Sequence, residues 1–119
     1  MPFLTNLHTV AHGPGQWRLA RDLIYSSARY GQLIEAPSGF VTDYASVPRL
    51  PFVFVLTGDT GHRAAVIHDY LYRHGAPQWS RRQADQIFRD ALLESEPRWR
   101  AWIMWAGVRV GGWRAWHGA

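Results

Sequence analysis

The stretch His68-Asp69-Tyr70-Leu71-Tyr72-Arg73, followed by Ser80-Arg81-Arg82-Gln83-Ala84-Asp85-Gln86-Ile87-Phe88, decides the fold. Each half reads as a helix. The short connection through Gly75-Ala76-Pro77 favours antiparallel packing of the two. His68 and Tyr72 are four apart and share a helix face. Ala64 and Ala65, one turn earlier, are small and leave room for a partner helix. Asp85 lies in the N-terminal half of the second helix, beside its apolar stripe. In an antiparallel pair the end of the first helix faces the start of the second, so His68, Tyr72 and Asp85 meet. Asp69 is rotated by roughly a quarter turn from His68 and is left to point elsewhere, for example at a cation.

Working outward, Thr60-Gly61 opens the first helix, which runs to about His74, and Gly75-Ala76-Pro77 ends it. Ser80 is an N-cap with Gln83 in the capping-box position. Ala84, Ile87, Phe88, Ala91 and Leu92 recur at helical spacing and predict one buried stripe. Glu96-Pro97 starts a third helix, in which Trp102, Ile103, Ala106 and Val110 share a face. Trp99, Trp105, Trp113 and Trp116 exceed what one face can bury. Before the helices, residues 1–15 read as a poorly fixed arm. Gln16 to Tyr25 and Gln32 to Ala36 read as short strands, with Tyr30-Gly31 as turn chemistry between them. In the second, Ile34 and Ala36 alternate with Leu33 and Glu35. Pro37-Ser38-Gly39 is a turn, and Phe40 to Thr42 a third strand. Asp43 to Pro51 is irregular, and Phe52 to Leu56 is either a strand or a helical turn. The fold class is α+β: a short N-terminal antiparallel sheet, then a three-helix unit, in one domain over residues 16–119.

Composition narrows the function classes. The chain has 119 residues, 47% of them apolar and 14% aromatic, enough to build a core. It has no cysteine, which excludes disulfides and thiolate metal sites. The formal charge of +4 comes with scattered arginines and no lysine. No basic run or groove signature points to nucleic acid. The N-terminus lacks a signal-peptide pattern, and no apolar run is long enough to span a bilayer. The tryptophan-rich end, interleaved with Arg98, Arg100, Arg109 and Arg114, suits a membrane surface or a protein interface as well as it suits a core.

Three readings of the helix pair stand side by side. His68 and Asp85 form a catalytic dyad, with Asp85 raising the imidazole pKa and fixing its ring. Or they pin two helices together, with Arg81 or Arg82 balancing the charge. Or the carboxylates serve a metal alone. Asp43, in Gly39-Phe40-Val41-Thr42-Asp43-Tyr44-Ala45-Ser46-Val47-Pro48-Arg49, either satisfies its own loop or joins Asp69 around a hard cation such as calcium. His62, His68 and His74 recur every six residues, which scatters them around a helix and makes no three-histidine site.

That loop segment, together with Arg63-Ala64-Ala65-Val66-Ile67-His68-Asp69-Tyr70-Leu71-Tyr72, resembles the signature of a bacteriophage and prophage family of unknown function. The resemblance runs over about residues 16–112 and implies a phage origin, in the virion or the host cytoplasm. Residues 63–90 are also similar to the helix pair of prokaryotic phospholipases A2. That likeness implies His68 as base, Asp69 as a calcium ligand, Asp85 as the orienting carboxylate and Tyr72 bonded to it. The disulfides and the Gly-rich calcium loop of that superfamily are missing here. Two functions follow as expectations: a phage-encoded hydrolase acting on esters of the host envelope, or a non-catalytic tail-tip or baseplate protein whose partners are other virion chains.

Overall fold

The structure, a computed structural model, describes residues 3–13, 16–42, 59–94, 97–111 and 116. It has an N-terminal antiparallel β region followed by three helices, the α+β class. The chain divides into two compact units, Met1–Asp43 and Tyr44–Ala119, where the sequence suggests an arm and one domain over 16–119. The apolar run Phe52 to Leu56, read as either a strand or a helical turn, and the candidate ligand Asp43 lie outside the described residues.

In the first unit, β1 (Thr9–Gly13), β2 (Gln16–Leu19) and β5 (Val41–Thr42) form one antiparallel sheet in the order β1-β2-β5. A separate hairpin pairs β3 (Leu23–Ser27) with β4 (Gln32–Ala36). Two corrections follow. Residues 9–13 are a strand, because β2 supplies partners from Thr9↔Leu19 to Gly13↔Gln16. Four of the five residues of β1 are exposed, so no burial pattern advertises it. The stretch Gln16 to Tyr25 is two strands, broken at Ala20–Asp22. There the Ala20 amide donates to His8 O at 2.8 Å, and the Asp22 carboxylate accepts from the Ser38 amide at 2.6 Å.

The β3–β4 hairpin follows its pattern. Leu23, Tyr25, Ile34 and Ala36 are buried and Leu33 points outward, the alternation a half-buried strand requires. Gly31 turns the hairpin at φ +63°, where a Cβ is strained. Phe3 crosses back to bridge Tyr25, ring edge to face at 5.0 Å.

The second unit holds α1 (Asp59–His74), α2 (Arg81–Leu92) and α3 (Arg98–Gly111). α1 stops at Gly75, whose amide donates to Leu71 O at 2.8 Å. A Cβ on Gly75 would lie 2.5 Å from that same oxygen, so glycine is required by close approach. Ser80 and Gln83 form the complete capping box on α2. Ala84, Ile87, Phe88, Ala91 and Leu92 are all fully buried, and each large member contributes about 1.5–3 kcal/mol by leaving water.

α2 packs against both other helices. In α3 the buried positions are Ala101, Met104 and Val108, while Trp102, Ile103 and Val110 are exposed. The expected face, Trp102-Ile103-Ala106-Val110, is the outward one. Both sides of α3 are apolar, so hydrophobicity alone does not choose between them.

Candidate functional site

Asp85 is the centre of the site. It sits on α2 between two buried positions of the apolar stripe and is itself inaccessible. Two neighbours come from one face of α1. His68 Nε2 is 2.7 Å from Asp85 Oδ1, and the Tyr72 hydroxyl donates to the same oxygen. The third comes from the last turn of α3, where Arg109 Nη1 donates to Asp85 Oδ2 at 2.8 Å. The His68 ring is held between Tyr72 and Phe88, with centroids 4.1 and 4.6 Å away. Trp116 meets Tyr72 edge-on at 5.3 Å.

Electrostatics assign the protons. For Asp85, burial would favour the neutral acid. Hydrogen bonds from His68, Tyr72 and Arg109 outweigh it and hold the pKa below the ordinary carboxylate value. For His68, burial is the largest influence and lowers the pKa, exceeding the upward pull of Asp85. Asp85 raises the imidazole pKa as the sequence suggests, but in a fully buried ring desolvation of the cation is larger and the net shift is downward. Burial first, and then the Asp85 anion, raise the Tyr72 pKa, so its hydroxyl stays a donor. An ionised carboxylate can only accept, so neutral His68 must carry its proton on Nε2.

The site residues read from the sequence thus divide. His68, Tyr72 and Asp85 converge as the helix-pair spacing requires. Asp69 is buried, and its Oδ1 is 3.1 Å from Arg73 Nε one turn on. A guanidinium against that carboxylate does not suit a cation ligand. Among the described residues no three His, Cys, Asp or Glu side chains converge on a metal position.

Of the arginines expected to balance the charge, Arg81 lies close enough to act on Tyr72 and His68, and the ion pair to Asp85 itself comes from Arg109. Arg82 is exposed. Arg81 Nη2 donates to Val108 O at 2.8 Å and Arg109 O at 2.6 Å. These are carbonyls of the last α3 turn, which lack partners within the helix. Arg109 is the residue sequence reasoning missed. Its only signal is an arginine in the last turn of a helix that runs antiparallel to α2, which brings it opposite Asp85.

A three-helix unit with a buried carboxylate receiving His, Tyr and Arg donors, preceded by two small antiparallel sheets, defines the class. The family described as a protein of unknown function, DUF1353, matches residues 17–108, and the chain belongs to that family. No curated protein and no solved structure gives a significant match. No helix among the described residues is long and apolar enough to cross a membrane.

Proposed function

We propose that the Asp85 cluster is a polar clamp that fixes the three helices, and that the protein is a non-catalytic component of a phage particle at the tail tip or baseplate. The observation that carries the first part is the inaccessibility of His68 and Asp85, both 0% exposed. A general base needs a ring nitrogen facing a cleft where a substrate proton can sit within hydrogen-bond reach. A clamp needs only that each buried polar group be paired. Asp85, on α2, accepts from two donors on α1 and one on α3, which ties all three helices together. The phage assignment rests on the resemblance of the loop and first-helix segments to phage sequences.

A second reading, a hydrolase using His68 as base, is favoured by one observation. Asp85 accepts from Nε2, so the lone pair that such a base would use is on Nδ1. That is the orientation a phospholipase-A2-like base would need. The experiment compares wild type and His68→Gln on phospholipids and host envelope extracts, alongside mass spectrometry of purified particles. The clamp reading expects no turnover from either protein, a lower melting temperature in the variant, and the chain in the particle at fixed stoichiometry. Turnover by wild type that vanishes in a folded His68→Gln protein overturns it. Absence of the chain from particles overturns the virion assignment.

A further inference from the structure

We infer that the outward face of α3 docks on an anionic lipid surface. At about 100° per residue, Trp102, Ala106, Trp99, Val110 and Ile103 follow one another around the helix within an arc of roughly 100°. That arc lies opposite the buried Ala101, Met104 and Val108. The indoles are in water: Trp99 is 54% exposed and Trp102 47%, and Val110 reaches 79%. Both sides of the helix are therefore apolar, and only one is covered by α2.

The arginines bound the arc. Arg98 falls on one edge and Arg100 on the other, while the Arg109 guanidinium is drawn inward to Asp85, and residues 98–111 include no acid. Arg100 lies over the Trp99 ring at 5.1 Å, and Arg89 of α2 lies over Trp102 at 4.6 Å. Apolar side chains between flanking guanidiniums suit the boundary between acyl chains and headgroups. Indoles settle at that depth, and arginine stems lie along apolar surface while their heads reach phosphate. A second copy of this chain is the poorer occupant. Two such faces packed together would oppose arginines with no acid in either helix to pair them. Charge complementarity selects an anionic partner, and the exposed indole-rich arc selects one with an apolar interior. The inference stands whether or not the Asp85 cluster is catalytic.

The test floats the full chain with vesicles of phosphatidylcholine alone and of phosphatidylcholine with phosphatidylglycerol. Binding should be strong only with the anionic lipid and should weaken as salt rises. Arg98→Gln should weaken it about fivefold. Trp99→Ser should weaken it on the order of tenfold, and Val110→Asp, at the most exposed position, should abolish it. Unchanged circular dichroism spectra would establish that these variants fold. Equal binding to both vesicle types, or binding to neither, overturns the inference. So does a wild-type dimer in sedimentation that becomes a monomer in Val110→Asp, which would make a second copy the occupant.

Discussion

The α1–α2 interface and the outer side of α3 depart from the oil-drop arrangement in opposite directions. Between α1 and α2 an imidazole, a phenol and a carboxylate are shut away from water. On α3, two indoles and a valine stand in it. The first departure is stable because it is closed: His68, Tyr72 and Arg109 each reach an oxygen of the Asp85 carboxylate. A buried charge with three partners loses little, whereas the same charge with one partner removed is expensive. The second departure needs no partner to keep the fold, since α3 already buries Ala101, Met104 and Val108. The difference predicts where mutation will hurt: inside, stability should fall steeply; outside, it should barely move.

The largest effect should follow Asp85→Ala. It leaves three donors from two helices without their acceptor, and removing one member of a buried charge network costs about 3–5 kcal/mol. Against an expected total stability of about 5–15 kcal/mol, urea melts should show a drastically shifted midpoint or no cooperative transition. A shift below about 1 kcal/mol, the worth of an exposed pair, would mean that the cluster does not hold the helices. Next comes His68→Ala, at about 2–4 kcal/mol from the lost packing on Tyr72 and Phe88 together with the lost donor. Asp85 keeps Tyr72 and Arg109 in that variant, so the loss should be smaller than for Asp85→Ala. An inverted order would move the centre of the network from Asp85 to His68.

Acid should probe the same network without mutation. Unfolded His68 takes up a proton near its ordinary value of 6.5, and the folded ring does so only at lower pH. Below about 6.5 the unfolded state therefore binds more protons, and stability falls as pH falls. Asp85 acts in the same direction in a lower window. Its stabilisation is present above the ordinary value of 3.8 and is lost as pH drops through the depressed folded value. Melting temperatures should decline between pH 7 and 5 in wild type. The decline over that range should be shallower in His68→Gln, which lacks the buried imidazole. Equal slopes would place the acid sensitivity elsewhere.

How much of this was legible in the sequence depended on whether a pattern had one solution. The α2 stripe and the Ser80–Gln83 capping box each admit a single reading, and the structure has them as read. The His68–Asp85–Tyr72 meeting followed from two helices and a short loop, with no need of distances. Three other features were hidden for physical reasons. β1 is exposed and pairs through its backbone, so its side chains record nothing. α3 is apolar on both sides, so its buried face depends on what α2 presents. Arg109 reaches Asp85 only through tertiary placement 24 residues away. The net direction of the His68 shift is hidden because a sequence shows the charged neighbour, which does raise the pKa, and conceals the depth of burial, which outweighs it. Gly75 was read as a helix stop, and its close approach to Leu71 O adds a second requirement. Gly75→Ala should therefore destabilise by about 1–3 kcal/mol, seen as a lowered melting midpoint. An unchanged midpoint would mean that the loop relaxes to accept a methyl group.

The smallest effects should come from the outer face of α3, and their smallness is what gives the comparison its force. Val110 is 79% exposed, so Val110→Ser returns almost nothing to water that was not already there. Surface substitutions away from caps, cavities and charge networks usually stay within about 0.5 kcal/mol. Trp99→Ser should lie near the same limit, because the contact it loses is the one with Arg100, and an exposed cation–π pair is worth about 0.5–1 kcal/mol. Trp102 is a less clean probe, since it touches both Arg89 and Trp105. Thermal melts of Val110→Ser and Trp99→Ser should overlay wild type to within a few degrees. A loss above about 2 kcal/mol from either, a core-like value, would show that the arc is already buried in the free protein. The two regions would then no longer differ, and nothing apolar would remain on α3 for a partner to cover.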